Sequence, residues 1–183
     1  MRLFVAIPLP EEIRRQLAGL TEQSQGLRRV PGEQMHLTLK FIGDLGSEAL
    51  NELTQSLAAI RFNSFDLRLK PPGAFPDEVQ PRVIWMGVDR SPELMALQQS
   101  VEQAVLKVGT EDRHQEYRPH ITLARAGRSA ADRAQVLLGS IRSRVESLEE
   151  CWRVDSFVLF ESRREPTGAI YRIRQSFPAT ELI

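Results

Sequence analysis

The sequence is poor in the residues that build crosslinks and metal cages. Its 183 residues contain one cysteine, Cys151, and three histidines, His36, His114 and His120. A lone cysteine excludes an intramolecular disulfide and fits a reducing compartment. One cysteine and three histidines also leave little material for a structural zinc site. Net charge is missing too: 24 Lys and Arg balance 24 Asp and Glu, which argues against a protein that coats nucleic acid by bulk electrostatics. Apolar runs such as residues 3–9 fall far short of the ~20 residues a membrane span needs. The opening MRLFVAIPLPEE sets Pro10, Glu11 and Glu12 where a signal peptide would carry small residues, and so predicts a buried strand. A near-neutral chain with no apolar stripe predicts a cytoplasmic monomer that makes no membrane contact.

What is present is ordinary for a globular protein, with 42% hydrophobic and 26% charged residues. The length corresponds to one domain, enough to bury a core without disulfides. Only Lys40, Lys70 and Lys107 are lysines, so 21 of the 24 cations are arginine. Between residues 118 and 144, six arginines face one acid, Asp132. Arginine is a planar, bidentate fork for phosphate, although a genomic bias toward arginine codons would give the same excess.

Periodicity and punctuation predict strands at 2–8, 36–42, 65–69, 82–88, 118–125, 154–161 and 169–177. Helices are predicted from Pro10 to about residue 24, from Ser47 with Leu50, Leu53 and Leu57 on one face, from Ser91 to 107, and from Ser129 or Asp132 to 145. Ser91 is a capping residue with Pro92 in the first turn. The segment KPPGAFPDEVQPR, with four prolines, reads as a loop. Strand–helix–strand–helix–strand thus occurs twice, over 2–69 and 82–161. MHLTLKFIGDL matches PHITLARAGR closely across a period of 80 to 84 residues. The fold class predicted is α+β: one domain with a duplicated two-lobed fold, in which two antiparallel sheets face a central cleft and helices pack outside. Such a cleft is a natural ligand site.

The chemistry is carried by His36-Leu37-Thr38-Leu39 and His120-Ile121-Thr122-Leu123. In a strand, residues i and i+2 share a face, so each motif presents His and Thr on one side and two aliphatics on the other. One H-x-T alone describes a satisfied structural histidine equally well. Two copies, in equivalent places of a repeat, point to function. Facing imidazoles suit proton transfer, one neutral and one protonated near neutrality. The threonine hydroxyls can hydrogen-bond anionic oxygens. Together they suit a phosphodiester, whose pentacoordinate state needs proton traffic at two oxygens and stabilised equatorial charge. No Gly-rich phosphate loop is present. His114 and the Cys151–Trp152 pair read as surface and packing residues. Tyr171 and Arg172 lie either near the site or on a sheet edge.

The paired HxTL motifs, the opening RLFVAIPLP and the ending YRIRQSFP resemble the bacterial and archaeal RNA 2′,3′-cyclic phosphodiesterases. These were historically called 2′-5′ RNA ligases and belong to the two-histidine phosphoesterase superfamily. The resemblance extends over nearly the whole chain, including PPGAFP and RVIWMGV. It implies hydrolysis of an RNA 2′,3′-cyclic phosphate end to a 2′-phosphate without metal, cofactor or ATP. In that scheme His120 is the general base and His36 the general acid, while Thr38 and Thr122 hold phosphate oxygens. A pseudo-symmetric site allows the opposite direction, and reversal of the reaction would make a 2′-5′ linkage. Phe41 and Arg125, five residues after each histidine, match positions that contact the terminal nucleotide. An offset of five puts both on the aliphatic face of an ideal strand, so reaching the ligand requires the strand to end, twist or bulge. Lys40 shares the parity of His36, where it either neutralises phosphate or stands exposed. Two alternatives remain at this level. One is a phosphodiesterase for small cyclic nucleotides or ADP-ribose cyclic phosphate; the other is a non-catalytic RNA-end binder.

Overall fold

The computed structural model describes residues 2–21, 26–109, 116–127, 129–145, 150–165 and 168–180. His114 and the Thr167 side of the predicted last turn lie outside them. Nine strands are described: β1 Arg2–Pro8, β2 Arg28–Arg29, β3 His36–Asp44, β4 Phe65–Phe75, β5 Val83–Val88, β6 His120–Arg125, β7 Cys151–Val154, β8 Ser156–Glu165 and β9 Gly168–Pro178. Four α-helices accompany them: α1 Glu11–Gly19, α2 Ser47–Ala58, α3 Pro92–Lys107 and α4 Ala131–Val145.

The strands form an antiparallel sheet ordered β7-β4-β5-β6-β3-β1-β8-β9, with β2 also on β6. The predicted α+β, two-lobed architecture is present. One lobe is β3-β1-β8-β9 and the other β7-β4-β5-β6. A single described register pair, Leu37 with Ile121, joins β3 to β6. The two lobes are therefore hinged at the middle of the two HxTL motifs. Both residues are 0% exposed, and burying side chains of this size stabilises a fold by about 1.5–3 kcal/mol each.

The lobes do not follow the two halves of the sequence. β1 is flanked by β3 and β8, while β5 is flanked by β6 and β4. Each lobe thus takes its third strand from the other half. The exchange also explains why the predicted strand 154–161 is two strands. β7 pairs with β4 in one lobe and β8 with β1 in the other, so the chain must break direction at Asp155 to pass between them. On β7 the side chains alternate, which turns Trp152 into the core and Cys151 outward. Cys151 is not the packing residue expected.

Pro71 and Pro72 of KPPGAFPDEVQPR sit within a strand rather than a loop, while Pro76 and Pro81 lie beyond its end. β7 covers β4 only over Phe65 to Arg68, so beyond that point β4 is an edge strand with β5 on one side. Proline, lacking an N–H, is tolerated at edges and irregularities, and the β4–β5 register shifts between Lys70 and Pro72.

The helices cover one side of the sheet. α3 packs on β3, α4 on β4, and α2 against α3 and β9. Ser91 Oγ accepts the Leu94 amide at 3.2 Å, as its sequence position predicts. Ser47 does not cap α2: it is the first helical residue, and Gly46 holds the cap position. Among the described residues no helix is long and apolar enough to cross a membrane.

Candidate active site

The Leu37–Ile121 pair decides where the polar side chains go. Directly opposed residues in an antiparallel ladder share a face, and their chain neighbours share the other. Leu37, Leu39, Ile121 and Leu123 are at most 2% exposed. His36, Thr38, His120 and Thr122 are half-buried on the opposite side. The register runs His36 alongside Thr122 and Thr38 alongside His120. Tyr117 reinforces this junction by donating from its hydroxyl to the Thr38 carbonyl at 3.0 Å. Burial pushes its phenol above the ordinary range, so it stays a donor.

Both rings are pinned the same way. His36 Nδ1 lies 2.7 Å from the Gln34 carbonyl, and His120 Nδ1 lies 2.6 Å from the Arg118 carbonyl. A carbonyl only accepts, so Nδ1 carries the hydrogen and Nε2 holds the lone pair of the neutral ring. Each ring also leans on an aromatic wall. His36 lies 4.8 Å from Phe4, 5.3 Å from Tyr171 and 6.2 Å from Phe160, between centroids. His120 lies 4.9 Å from Phe75 and 6.1 Å from Trp85.

Burial lowers both imidazole pKa values, that of His36 to about 4. The backbone carbonyls oppose this, and the Arg125 cation adds to it at both rings. The charge of His120 also acts on His36. The histidines and Arg125 therefore share one electrostatic environment. In the ligand-free state burial thus favours the neutral form of both rings, against the expected mixture of one neutral and one protonated ring. An anion beside the rings would oppose this lowering.

The parity problem at Phe41 and Arg125 has a structural answer. In the β1–β3 ladder Ala6 pairs with Thr38 and Val5 with Lys40, which skips Leu39. In the β5–β6 ladder Trp85 pairs with Thr122 and Ile84 with Ala124, which skips Leu123. The last leucine of each HxTL motif is thus a bulge residue. A bulge reverses the facing of everything after it. Phe41 and Arg125 return to the histidine face, and both are exposed, Phe41 at 67%. The same reversal takes Lys40 the other way, where its Nζ meets Glu102 of α3 at 2.5 Å. It is not a phosphate ligand.

Sequence reasoning missed the walls. Register places Phe41, Phe4, Phe160 and Ile173 in one row across four strands, about 14 Å long at the usual strand spacing. The signal was a set of aromatics in predicted strands, but their neighbours depend on pairings a single sequence does not display. Trp85 is held by Gly73, its cross-strand partner. A Cβ on Gly73 would lie 2.4 Å from Trp85 Cη2. Gly73→Ala is expected to destabilise the fold by about 1–3 kcal/mol, as overpacking does. Denaturant unfolding followed by tryptophan fluorescence checks it.

The model of a family described as the 2'-5' RNA ligase superfamily matches residues 9–166. The chain belongs to this superfamily. Within it, a curated Archaeoglobus fulgidus protein named RNA 2',3'-cyclic phosphodiesterase is 32% identical over 175 residues, which cover 94% of this chain and 97% of that one. A Thermus thermophilus protein of the same name is 33% identical over 192 residues, 97% and 89% of the two chains. The crystal structure of Escherichia coli LigT complexed with 3'-AMP superposes with a TM-score of 0.80 at 26% identity, covering 98% of each chain. These superfamily members match the present chain over both lobes, not over one motif. Among the described residues, no three of His, Cys, Asp and Glu gather where they could hold a metal ion.

Proposed function

We propose that the protein hydrolyses 2′,3′-cyclic phosphate ends of RNA to 2′-phosphates by two-imidazole acid–base catalysis. One observation carries this reading: two histidines, pinned through Nδ1 in the same way, flank a single inter-lobe bridge under the charge of one arginine. The names of the relatives supply the substrate class.

In this mechanism His120 Nε2 takes a proton from water as the water oxygen attacks phosphorus. The P–O3′ bond breaks, and O3′ receives the proton that His36 Nε2 carries. The product holds a 2′-phosphate and a 3′-hydroxyl. Thr38 and Thr122 donate hydroxyl hydrogens to the non-bridging oxygens, and the field of Arg125, which reaches both imidazoles, offsets the charge that grows on them without a direct contact. His36, whose burial makes its protonated form the stronger acid, suits the donor role. A 5′-hydroxyl in place of water would form a 2′-5′ linkage through the same transfers. Phe41, exposed at the end of the aromatic row, offers the terminal base a stacking surface worth about 1–3 kcal/mol.

The test is product analysis. A cyclic-ended oligonucleotide treated with the protein in EDTA is expected to gain the mass of one water and a phosphatase-sensitive 2′-phosphate. A 3′-phosphate product would reverse the choice of leaving oxygen. Activity lost in EDTA and restored by a divalent ion would replace this mechanism with a metal-assisted one.

A further inference from the structure

The shortest strand supplies a cation that no motif revealed. β2 lies against β6, with Arg28 opposite Arg125 and Arg29 opposite Ala124. The Val30 amide extends the ladder to the Leu123 carbonyl at 2.8 Å. Along this edge of β6, β3 pairs at Ile121 and β2 takes over at Ala124. Arg28 therefore stands where the lobes part. Directly opposed residues share a face, so Arg28 lies on the face of Arg125, which the bulge at Leu123 turned toward the histidines. Both arginines are exposed.

Two like charges directly opposed across strands repel each other. The arginine ion pairs among the described residues lie elsewhere, as in Arg90–Glu116, Arg142–Glu78 and Arg163–Glu161. An anion between the two guanidiniums converts the repulsion into two bidentate contacts. Arg28 lies one strand, about 5 Å, from Arg125, on the β3 side of β6 and further along it than Ile121, where β3 pairs. The opposite lobe carries the aromatic row suited to the base.

Building on the reading above, we infer that Arg28 and Arg125 form a second phosphate subsite, which takes the phosphate on the 5′ side of the terminal nucleotide. The site then measures two phosphates: the cyclic one between the histidines and the next one toward the RNA body. A nucleoside cyclic phosphate without that second group is a poor substrate.

Cytidine 2′,3′-cyclic phosphate and its 5′-phosphorylated form isolate the one group in question. The protein is expected to favour the 5′-phosphorylated form at least tenfold in kcat/KM. Arg28→Gln is expected to bring that ratio to within twofold of one, and Arg28→Lys to leave it in between. No preference in the unsubstituted protein, or a preference that survives Arg28→Gln, overturns the subsite. If neither nucleotide is hydrolysed, the proposed reaction fails and the subsite is judged by calorimetry with the same two nucleotides. The 5′-phosphate must then still raise affinity tenfold through Arg28, and equal affinities overturn it.

Discussion

Replacing His36 or His120 by alanine should lower kcat on a cyclic-phosphate oligonucleotide by about 100- to 10,000-fold, the range a positioned acid or base contributes. The double variant should be little worse than the poorer single one, because the two imidazoles serve one concerted proton path and losses within a unit do not add. The folded state needs a separate control. His36 fills space among Phe4, Phe160 and Tyr171, and alanine would leave a gap there. His36→Gln keeps most of the volume and should be as inactive as His36→Ala while unfolding closer to the parent. Single-turnover rates with saturating substrate read the chemical step, and circular dichroism reads the fold. Near-parental turnover from either single variant would end the two-imidazole mechanism.

How much of this was legible in the sequence depends on the range of the signal. The HxTL faces needed only the two-residue period of a strand, and Leu37 and Ile121 are in the core as that period requires. The capping of α3 by Ser91 is equally local. The bulges at Leu39 and Leu123 were not legible, because a bulge is a property of a pair of strands. It is visible only once β1 and β5 are known to lie alongside. The roles of Lys40, Phe41 and Arg125 all turn on that one feature. The strand beyond Lys70 was hidden for a related reason: four prolines argue for a loop unless the segment is known to be an edge. The exchange rests on distant pairings, β4 with β7 as in Phe65–Val154 and β1 with β8 as in Phe4–Phe160, and no local pattern announces it. The pairing of Arg28 with Arg125 is of the same kind.

Arg125 offers the second large effect, and one whose direction in pH can be worked out. Its guanidinium acts on both imidazoles and lowers both pKa values. The reactive free enzyme needs one ring protonated and the other neutral, so kcat/KM falls at low pH as the base gains a proton and at high pH as the acid loses one. Removing a positive charge makes protonation easier at each ring. Arg125→Gln should therefore move both limbs of the kcat/KM profile to higher pH. It should also cost rate at the optimum. A charge-assisted hydrogen bond is worth about 1.5–3 kcal/mol, and about 1.4 kcal/mol corresponds to a factor of ten. The maximum of kcat/KM should thus drop by about 10- to 100-fold. Arg125→Lys retains the charge but not the fork, so its limbs should stay near the parental positions while its maximum falls part of the way. These two variants separate electrostatics from geometry. A Gln variant whose maximum falls without movement of either limb would overturn the shared electrostatic environment and leave the cation a binding role alone.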